Sequence, residues 1–599
     1  MSGRRRLLRW ASWFGVVNAA ILSIAGLRYL WEYSPTSPVV AWTYAVTAYV
    51  GHMTALAYVP LMLLLVPLIV LIPRPRLVLP LGVLLASVGV AFIVLDTLVF
   101  AENRYHLNVL TFITLEPHTW AFLALYFLLA AAIESMLAGW VWKRTALAPP
   151  PRVGWCLALT LGACVVASHL VHAWAAPHYY VPVTTFTRYL PLYSPLKLTR
   201  FMTKLGLVDR FRAREQSLVA ALGRPPDREL HYPLAPLRCD PHSPMPNVLL
   251  VVIDAMRADA LTPTVAPKLS EFARDAIRFD GHYSGGNSSR SGMFSLFYGL
   301  PPTYFESFFD FALPPVMMDM FRQYGYQLGL FSSSPIYRAV VGLDRTAFAR
   351  VPNLRLETGA PYSSSWGRDR RLTEEWYEWL QRREPSRPFF GFLYYNAAVA
   401  LDPPDGYAPV VTVAPGASAH AHQHARFLTA VHYVDSLVGP VLDDLARRKL
   451  LEGTVIIVTS DHGFEFDDAG NGIRGHGTAF SRYQLHTPLL LRWPGHPPGR
   501  VTRRTSHNDV PPTVLTELFG CANPPSDYAS GQSLFSEGQW DWLIVRSRTD
   551  YALVEPERVT ISYSSGYEIR DRNYRLVSDP TLPRDGLRAA IREMGRFYR

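Results

Sequence analysis

Five long apolar runs near the N-terminus constrain this chain more than any other feature. They cover residues 10–27, 53–72, 77–100, 120–142 and 153–174. Each is close to the ~20 residues that a helix needs to cross a hydrocarbon core of ~30 Å. A chain that crosses lipid must satisfy its backbone internally, so these runs can only be helices. Arg4, Arg5, Arg6 and Arg9 precede the first run, like the basic start of a signal peptide. No small-residue cleavage site follows and four more spans do, which reads as an uncleaved first helix. The N-terminal arginines, the turn at Arg74 and Arg76 and the loop with Lys143, Arg144 and Arg152 fall on one side if the spans alternate. The positive-inside rule makes that side cytoplasmic. Five is odd, so everything after Trp174 is expected outside, in the periplasm of a two-membrane bacterium. Trp13, Trp31, Trp120, Trp140, Trp142 and Trp174 stand near the proposed edges, as interfacial aromatics do.

The formal net charge is +10. Such basicity suits nucleic acid or an anionic lipid surface, and the juxtamembrane arginines and lysines favour lipid. Asn18, His52, Asp96, Glu134 and His169 interrupt the spans. An unpaired charge at that depth costs ~2.5–3.5 kcal/mol or more. The preferred reading is that Asp96 and Glu134 reach headgroups or pair between helices. No discontinuous-helix pattern of a transporter is present. Cys156 and Cys164 sit in an apolar segment, whereas Cys239 and Cys521 flank the later domain. Whether that second pair is bonded stays open at this stage.

Residues 176–245 form a connecting segment. Within it, residues 194–208, SPLKLTRFMTKLGLV, would as a helix put Leu198, Phe201, Met202 and Leu205 on one face, flanked by Lys197, Arg200 and Lys204. That is the pattern of a basic amphipathic helix lying at a lipid surface, or of an ordinary solvated helix.

From Asn247 onward the pattern changes. Near-continuous β-branched and apolar runs at 247–254, 326–333, 388–396, 454–461 and 487–495 alternate with helical stretches. This predicts an α/β layered domain over 246–599 with a largely parallel sheet. Ligands of open α/β sheets sit at the carboxyl ends of strands. Asp254 ends the first such strand, and Asp461 and His462 end a later one. If these strands are neighbours, two carboxylates and an imidazole converge, a donor set for Zn²⁺, Mn²⁺ or Mg²⁺. Between them, GGNSSRSGMFSLFYG leads from glycines into a hydroxyl pair and a helix-like run. Ser288 or Ser289 then stands at a helix N-terminus, where an anionic ester is favoured and a metal can activate a hydroxyl. Helix capping by serine is the plainer role for the same residue. The last 60 residues alternate like antiparallel strands and predict a small accessory sheet.

Asp254, the Gly-Asn-Ser-Ser turn and Ser460-Asp461-His462-Gly463 resemble the sulfatase branch of the alkaline phosphatase superfamily. Within it, GNSS resembles the Gly-Lys-Thr-Ser turn of lipoteichoic acid synthases, whose nucleophile is the first hydroxyl, so the role is carried to Ser288 with Ser289 second. HTPLLLRWPG at 486–495 resembles the family's later strand. Five spans before such a domain, with LRYLW, GNSSRSGMFSLFYGLPPTY and YGYQLGLFSSS, resemble the YejM (PbgA) family of inner-membrane regulators of lipopolysaccharide synthesis. The resemblance implies sensing of lipid A and signalling through the membrane domain to LapB, which controls FtsH-mediated destruction of LpxC. It also implies a basic pair meeting lipid phosphate. Arg200 matches one member, Thr199 stands at the other, and Lys197 or Lys204 would share the contact. Better-known members of that family lack the Asp-His pair. Related transferases carry a substrate-side histidine where this chain reads Tyr395-Asn396-Ala397-Ala398, leaving His476 or His486 as substitutes. Two functions are therefore expected: a lipid-binding regulator, or a metal-dependent phosphatase or headgroup transferase.

Overall fold

The computed structural model describes residues 3–598 apart from 32, 34–37, 104–105, 109–110, 113–114, 116, 146–150, 179, 209–229, 242, 338–340, 356–363, 549, 564–565 and 579–580. It forms two compact units, Met1–Leu230 with Tyr598–Arg599, and His231–Phe597.

The first unit contains five long helices: α1 (Gly3–Ala25), α2 (Pro38–Leu71), α3 (Pro75–Asn103), α4 (Pro117–Arg144) and α5 (Pro151–Ala175). All five are long and apolar enough to cross a membrane. Helix α2 starts well before the apolar run at 53–72. Thr43 and Thr47 return their hydroxyls to the carbonyls of Val39 and Thr43, so polar residues there cost the helix little in lipid. The interrupting polar groups pair within the protein. Asn18 donates to Glu134 across α1 and α4 at 3.1 Å. Asp96 accepts from Tyr29 and from the Leu107 amide at 2.6 Å, with His106 Nδ1 at 2.7 Å.

Within the stretch 194–208 the helix covers Thr199–Lys204 only, here α6. Leu196 explains the late start. Its amide is held by His169 at 3.1 Å and its carbonyl by His172 Nδ1 at 3.1 Å, so neither group is free for a helical ladder. Gly206, with φ of 68°, stops the helix after one and a half turns. Lys197 and Lys204 are exposed, and so are Phe201 and Leu205. Arg200 lies within α6.

The second unit is built on a seven-stranded sheet of order β3-β4-β1-β5-β8-β2-β9. The strands are β1 (Asn247–Ile253), β2 (Ile277–Tyr283), β3 (Gln327–Ser332), β4 (Phe389–Tyr395), β5 (Thr454–Thr459), β8 (Leu489–Arg492) and β9 (Gly499–Ser506), with β6 (Glu465–Phe466) and β7 (Arg474–Gly475) as a separate ribbon. Central β1 runs parallel to β4 and β5, and β8 is antiparallel to β5 and β2. Residues 248–253 of β1 are all buried, at roughly 1.5–3 kcal/mol for each large side chain removed from water. The two strands with no apolar run in the sequence, β2 and β9, lie at one end of the sheet. Most of their residues stay at least partly exposed, so the apolar run that marks a doubly covered strand is missing.

Three helices bracket this sheet: α7 (Ser289–Tyr298), α8 (Ser365–Arg382) and α9 (Ala419–Arg447). Ser364 and Ser418 cap α8 and α9 by accepting from Gly367 and Ala421 amides. Trp376 of α8 and Phe427, Val434 and Val438 of α9 pack with Leu249, Val251 and Ile253 of β1. Alternate β1 residues point to the other face, where Phe297 of α7 meets Phe392 of β4 at 5.7 Å between ring centroids. Cys239 and Cys521 are disulfide-bonded across 282 residues, which their spacing alone left open. Strands β10 (Leu543–Arg546), β11 (Tyr551–Val554), β12 (Arg558–Tyr563) and β13 (Gly566–Asp571) form the expected antiparallel sheet. The chain then adds a helix, α10 (Arg584–Gly595), where strands were expected. Its buried Leu587, Ala590 and Met594 recur at helical spacing.

Candidate metal centre

Strands β4, β1 and β5 are direct neighbours, and their carboxyl ends stop at one level. Val252 pairs with both Tyr394 and Thr459. The next residues out are Asp254 from β1 and Ser460, Asp461 and His462 from β5. One oxygen of each carboxylate and one imidazole nitrogen lie within 4.8 Å of one another, all three side chains buried. His462 Nε2 is 3.5 Å from Asp254 Oδ1 and 3.5 Å from Asp461 Oδ2.

The surroundings prepare each atom. His462 Nδ1 is 2.9 Å from the Gly463 carbonyl. A carbonyl only accepts, so Nδ1 carries the proton and the Nε2 lone pair faces the carboxylates. Asp461 Oδ1 accepts from the amides of Ala255 at 3.1 Å and His462 at 3.0 Å, and Oδ2 accepts from the Tyr394 hydroxyl at 2.7 Å. Ala255 turns its amide toward Asp461 by adopting a φ of 63°, a left-handed conformation unfavourable for a residue with a Cβ. Asp254 Oδ1 is buried with no hydrogen-bond donor. Burial, then the neighbouring Asp461, push the Asp254 carboxyl well above the usual carboxylate range. Two carboxylates in a dry site repel, and a divalent cation between them removes both the repulsion and the orphaned oxygen. The donor set O, O, N therefore fits such an ion.

Helix α7 brings the hydroxyl. Ser289 Oγ lies 3.2 Å from His462 Nε2. Ser288 is the N-cap residue, and its side chain makes no capping bond. Gly292, one turn on, is what lets α7 come this close. A Cβ there would stand 1.9 Å from the Asp461 carbonyl oxygen. Gly463 serves the same purpose on the other side, where a Cβ would meet the Tyr483 carbonyl at 2.1 Å. Ser284 Oγ, 2.5 Å from the Asp461 carbonyl, ties the Gly-rich turn to this loop.

The two histidines suggested as substrate-side groups separate. His476 stacks on His462 with ring centroids 4.6 Å apart. Burial, then His462, lower its pKa to about 4, so it is neutral at pH 7. His486 instead places Nε2 2.6 Å from the Asp280 carbonyl and stacks on Tyr283, away from the donor set. Asn396 takes no such role either. Its amide and side chain are held by Asp369 and Ser365. Tyr394 was not singled out from sequence, because a tyrosine in an aromatic strand looks like core.

Residues 2–239 match a domain of unknown function (DUF3413), and residues 246–520 match the sulfatase family. Inner membrane protein YejM of Salmonella typhimurium is 27% identical over 609 residues, spanning 99% of this chain and 97% of that protein. This chain is a homologue of the YejM inner membrane proteins. An uncharacterised protein of Haemophilus influenzae is 24% identical, spanning 95% of this chain and 92% of its own length. Among solved structures, phosphonate monoester hydrolase SpPMH of Silicibacter pomeroyi is 18% identical with a TM-score of 0.45, covering 58% of this chain and 94% of that one. With five apolar helices and full-length inner-membrane relatives, the chain is an inner membrane protein carrying a sulfatase domain.

Proposed function

We propose that this protein is a YejM-type regulator of lipopolysaccharide synthesis whose periplasmic sulfatase-like domain keeps a working metal centre. Full-length similarity to YejM supports the regulatory part. On this reading lipid A is sensed at the periplasmic leaflet, with Lys197, Arg200 and Lys204 meeting lipid phosphate. The membrane helices then signal to LapB in the LapB–FtsH–LpxC axis. The disulfide between Cys239 and Cys521 supports an oxidising compartment for the second unit and hence a cytoplasmic N-terminus.

The observation that carries the chemical part is the Ser289 hydroxyl 3.2 Å from His462 Nε2, beside two buried carboxylates. Asp254, Asp461 and His462 would hold Zn²⁺, Mn²⁺ or Mg²⁺. When bound, such an ion lowers the pKa of a hydroxyl and screens charge on an ester oxygen. The protein's own part is to hold Ser289 at the amino end of α7, whose dipole favours an anionic ester. The Tyr394 hydroxyl keeps Asp461 oriented. His476, neutral at pH 7, offers a proton acceptor rather than an acid. The esters that suit this arrangement are phosphoric or sulfuric. A principal role as phosphatase or headgroup transferase on envelope lipids is the second reading, favoured by the complete donor set.

One complementation test separates these readings. Wild type, Asp461→Ala, Ser288→Ala, Ser289→Ala and a truncation near Trp174 are expressed in cells depleted of the native protein. Regulation as the principal role predicts that the point variants restore lipopolysaccharide levels. A folded serine variant that fails to do so overturns the regulator-first reading.

A further inference from the structure

A second cavity, of about 200 Å³, lies between the loop before β8 and the turn after β13. It is lined by three exposed arginines, Arg482, Arg572 and Arg575, with Asn573 and Tyr483 among them and Asp468 as its carboxylate. Asp468 is held by the Arg257 guanidinium, which it shares with Asp259. Its Oδ1 accepts from Arg257 at 2.8 Å and its Oδ2 from the Phe466 amide at 2.8 Å. Arg482 stacks on Tyr483 at 4.9 Å and donates to its hydroxyl at 3.1 Å, so an aromatic face and not a carboxylate holds it in place. Arg572 reaches Glu557 only at 3.7 Å, both side chains well exposed, a contact worth little in water. Among the described residues no carboxylate lies within ion-pair distance of Arg482 or Arg575. The cavity is thus lined by three arginines and an asparagine and is large enough for a tetrahedral oxyanion.

We propose that this cavity is an anion site for a phosphomonoester, distinct from the metal centre. Guanidinium groups match phosphate oxygens two at a time. The three like charges repel one another, which a bound dianion reverses. Tyr483 places the cavity beside the metal loop, since its carbonyl packs on Gly463. The phosphate can come from a lipid headgroup or from solution, and the chemistry of recognition is the same.

The test uses the full-length protein in detergent, titrated calorimetrically with inorganic phosphate and separately with dihexanoyl phosphatidic acid below its micellar concentration. Asp461→Ala, which removes a metal ligand, is expected to keep a phosphate site. Arg572→Gln/Arg575→Gln is expected to weaken that site roughly tenfold or more. Binding of inorganic phosphate alone assigns the site to free phosphate, and binding of the phosphatidic acid alone assigns it to a headgroup. Unchanged affinity in the double variant, loss of all phosphate binding in Asp461→Ala, or no binding of either probe overturns the proposal. The unfolding midpoint of each variant checks that it folds, and Arg482→Gln supplies an independent variant on the opposite wall.

Discussion

Ser289 Oγ and His462 Nε2 stand 3.2 Å apart, although 173 residues separate them. The adjacent serines should therefore behave differently. Ser289→Ala is expected to lower hydrolysis of a generic aryl phosphate or sulfate by a factor on the order of 10³ or more, and Ser288→Ala to lower it far less. Steady-state assays of both purified variants decide it. An inactive Ser288→Ala beside an active Ser289→Ala would return the leading role to the first hydroxyl.

Asp254, Asp461 and His462 should hold close to one divalent ion per chain, measured by elemental analysis of purified protein. His462→Ala and Asp461→Asn should lose it. A saturating cation at a hundred times its dissociation constant stabilises the fold by about 2.7 kcal/mol, so a chelator should lower the wild-type melting temperature and leave His462→Ala unmoved. An equal chelator shift in both proteins would count against the site.

Tyr394→Phe removes the hydroxyl that donates to Asp461 at 2.7 Å and keeps the ring. Metal affinity should fall roughly ten- to a hundredfold, as for other groups that orient a ligand, with little change in the metal-free melting temperature. Competition with a chromophoric chelator reads this directly. Unaltered affinity would make Tyr394 a packing residue only.

Gly292→Ala drives a Cβ to 1.9 Å from the Asp461 carbonyl. Neither backbone can yield without moving, so a loss of roughly 1–3 kcal/mol is expected. Chemical denaturation of the purified protein measures it, and a midpoint equal to wild type would show that α7 does not sit where described.

Asp369 is buried, and burial pushes its carboxyl up to about 6, while it accepts from Ser333, Asn396 and Ala397. A folded-state pKa above the unfolded value means the folded protein binds the extra proton. That contribution is complete below pH 4 and is lost as pH rises through about 6. The shift corresponds to roughly 3 kcal/mol. Asp369→Asn lacks it, so the stability difference between wild type and variant should shrink as pH rises from 4 to 7. A difference that stays constant over that range rules the assignment out.

Sequence by itself determined the elements whose environment is uniform. A span surrounded by lipid and a strand buried on both faces are apolar along their whole length, so the five helices and β1, β4 and β5 were legible, along with the carboxylates that end β1 and β5. Legibility failed where burial is partial or partners are distant. Strands β2 and β9 carry mixed faces, α6 is shortened because two histidines hold Leu196, and α10 hides its apolar stripe among arginines. Only the tertiary structure decided that β4, β1 and β5 end side by side, that Ser289 faces the imidazole while His486 does not, that Tyr394 orients Asp461, and that Cys239 meets Cys521. Each of these is a through-space relation between residues far apart in the chain. Local propensity carries no information about strand order, and strand order is what turns isolated polar residues into a site.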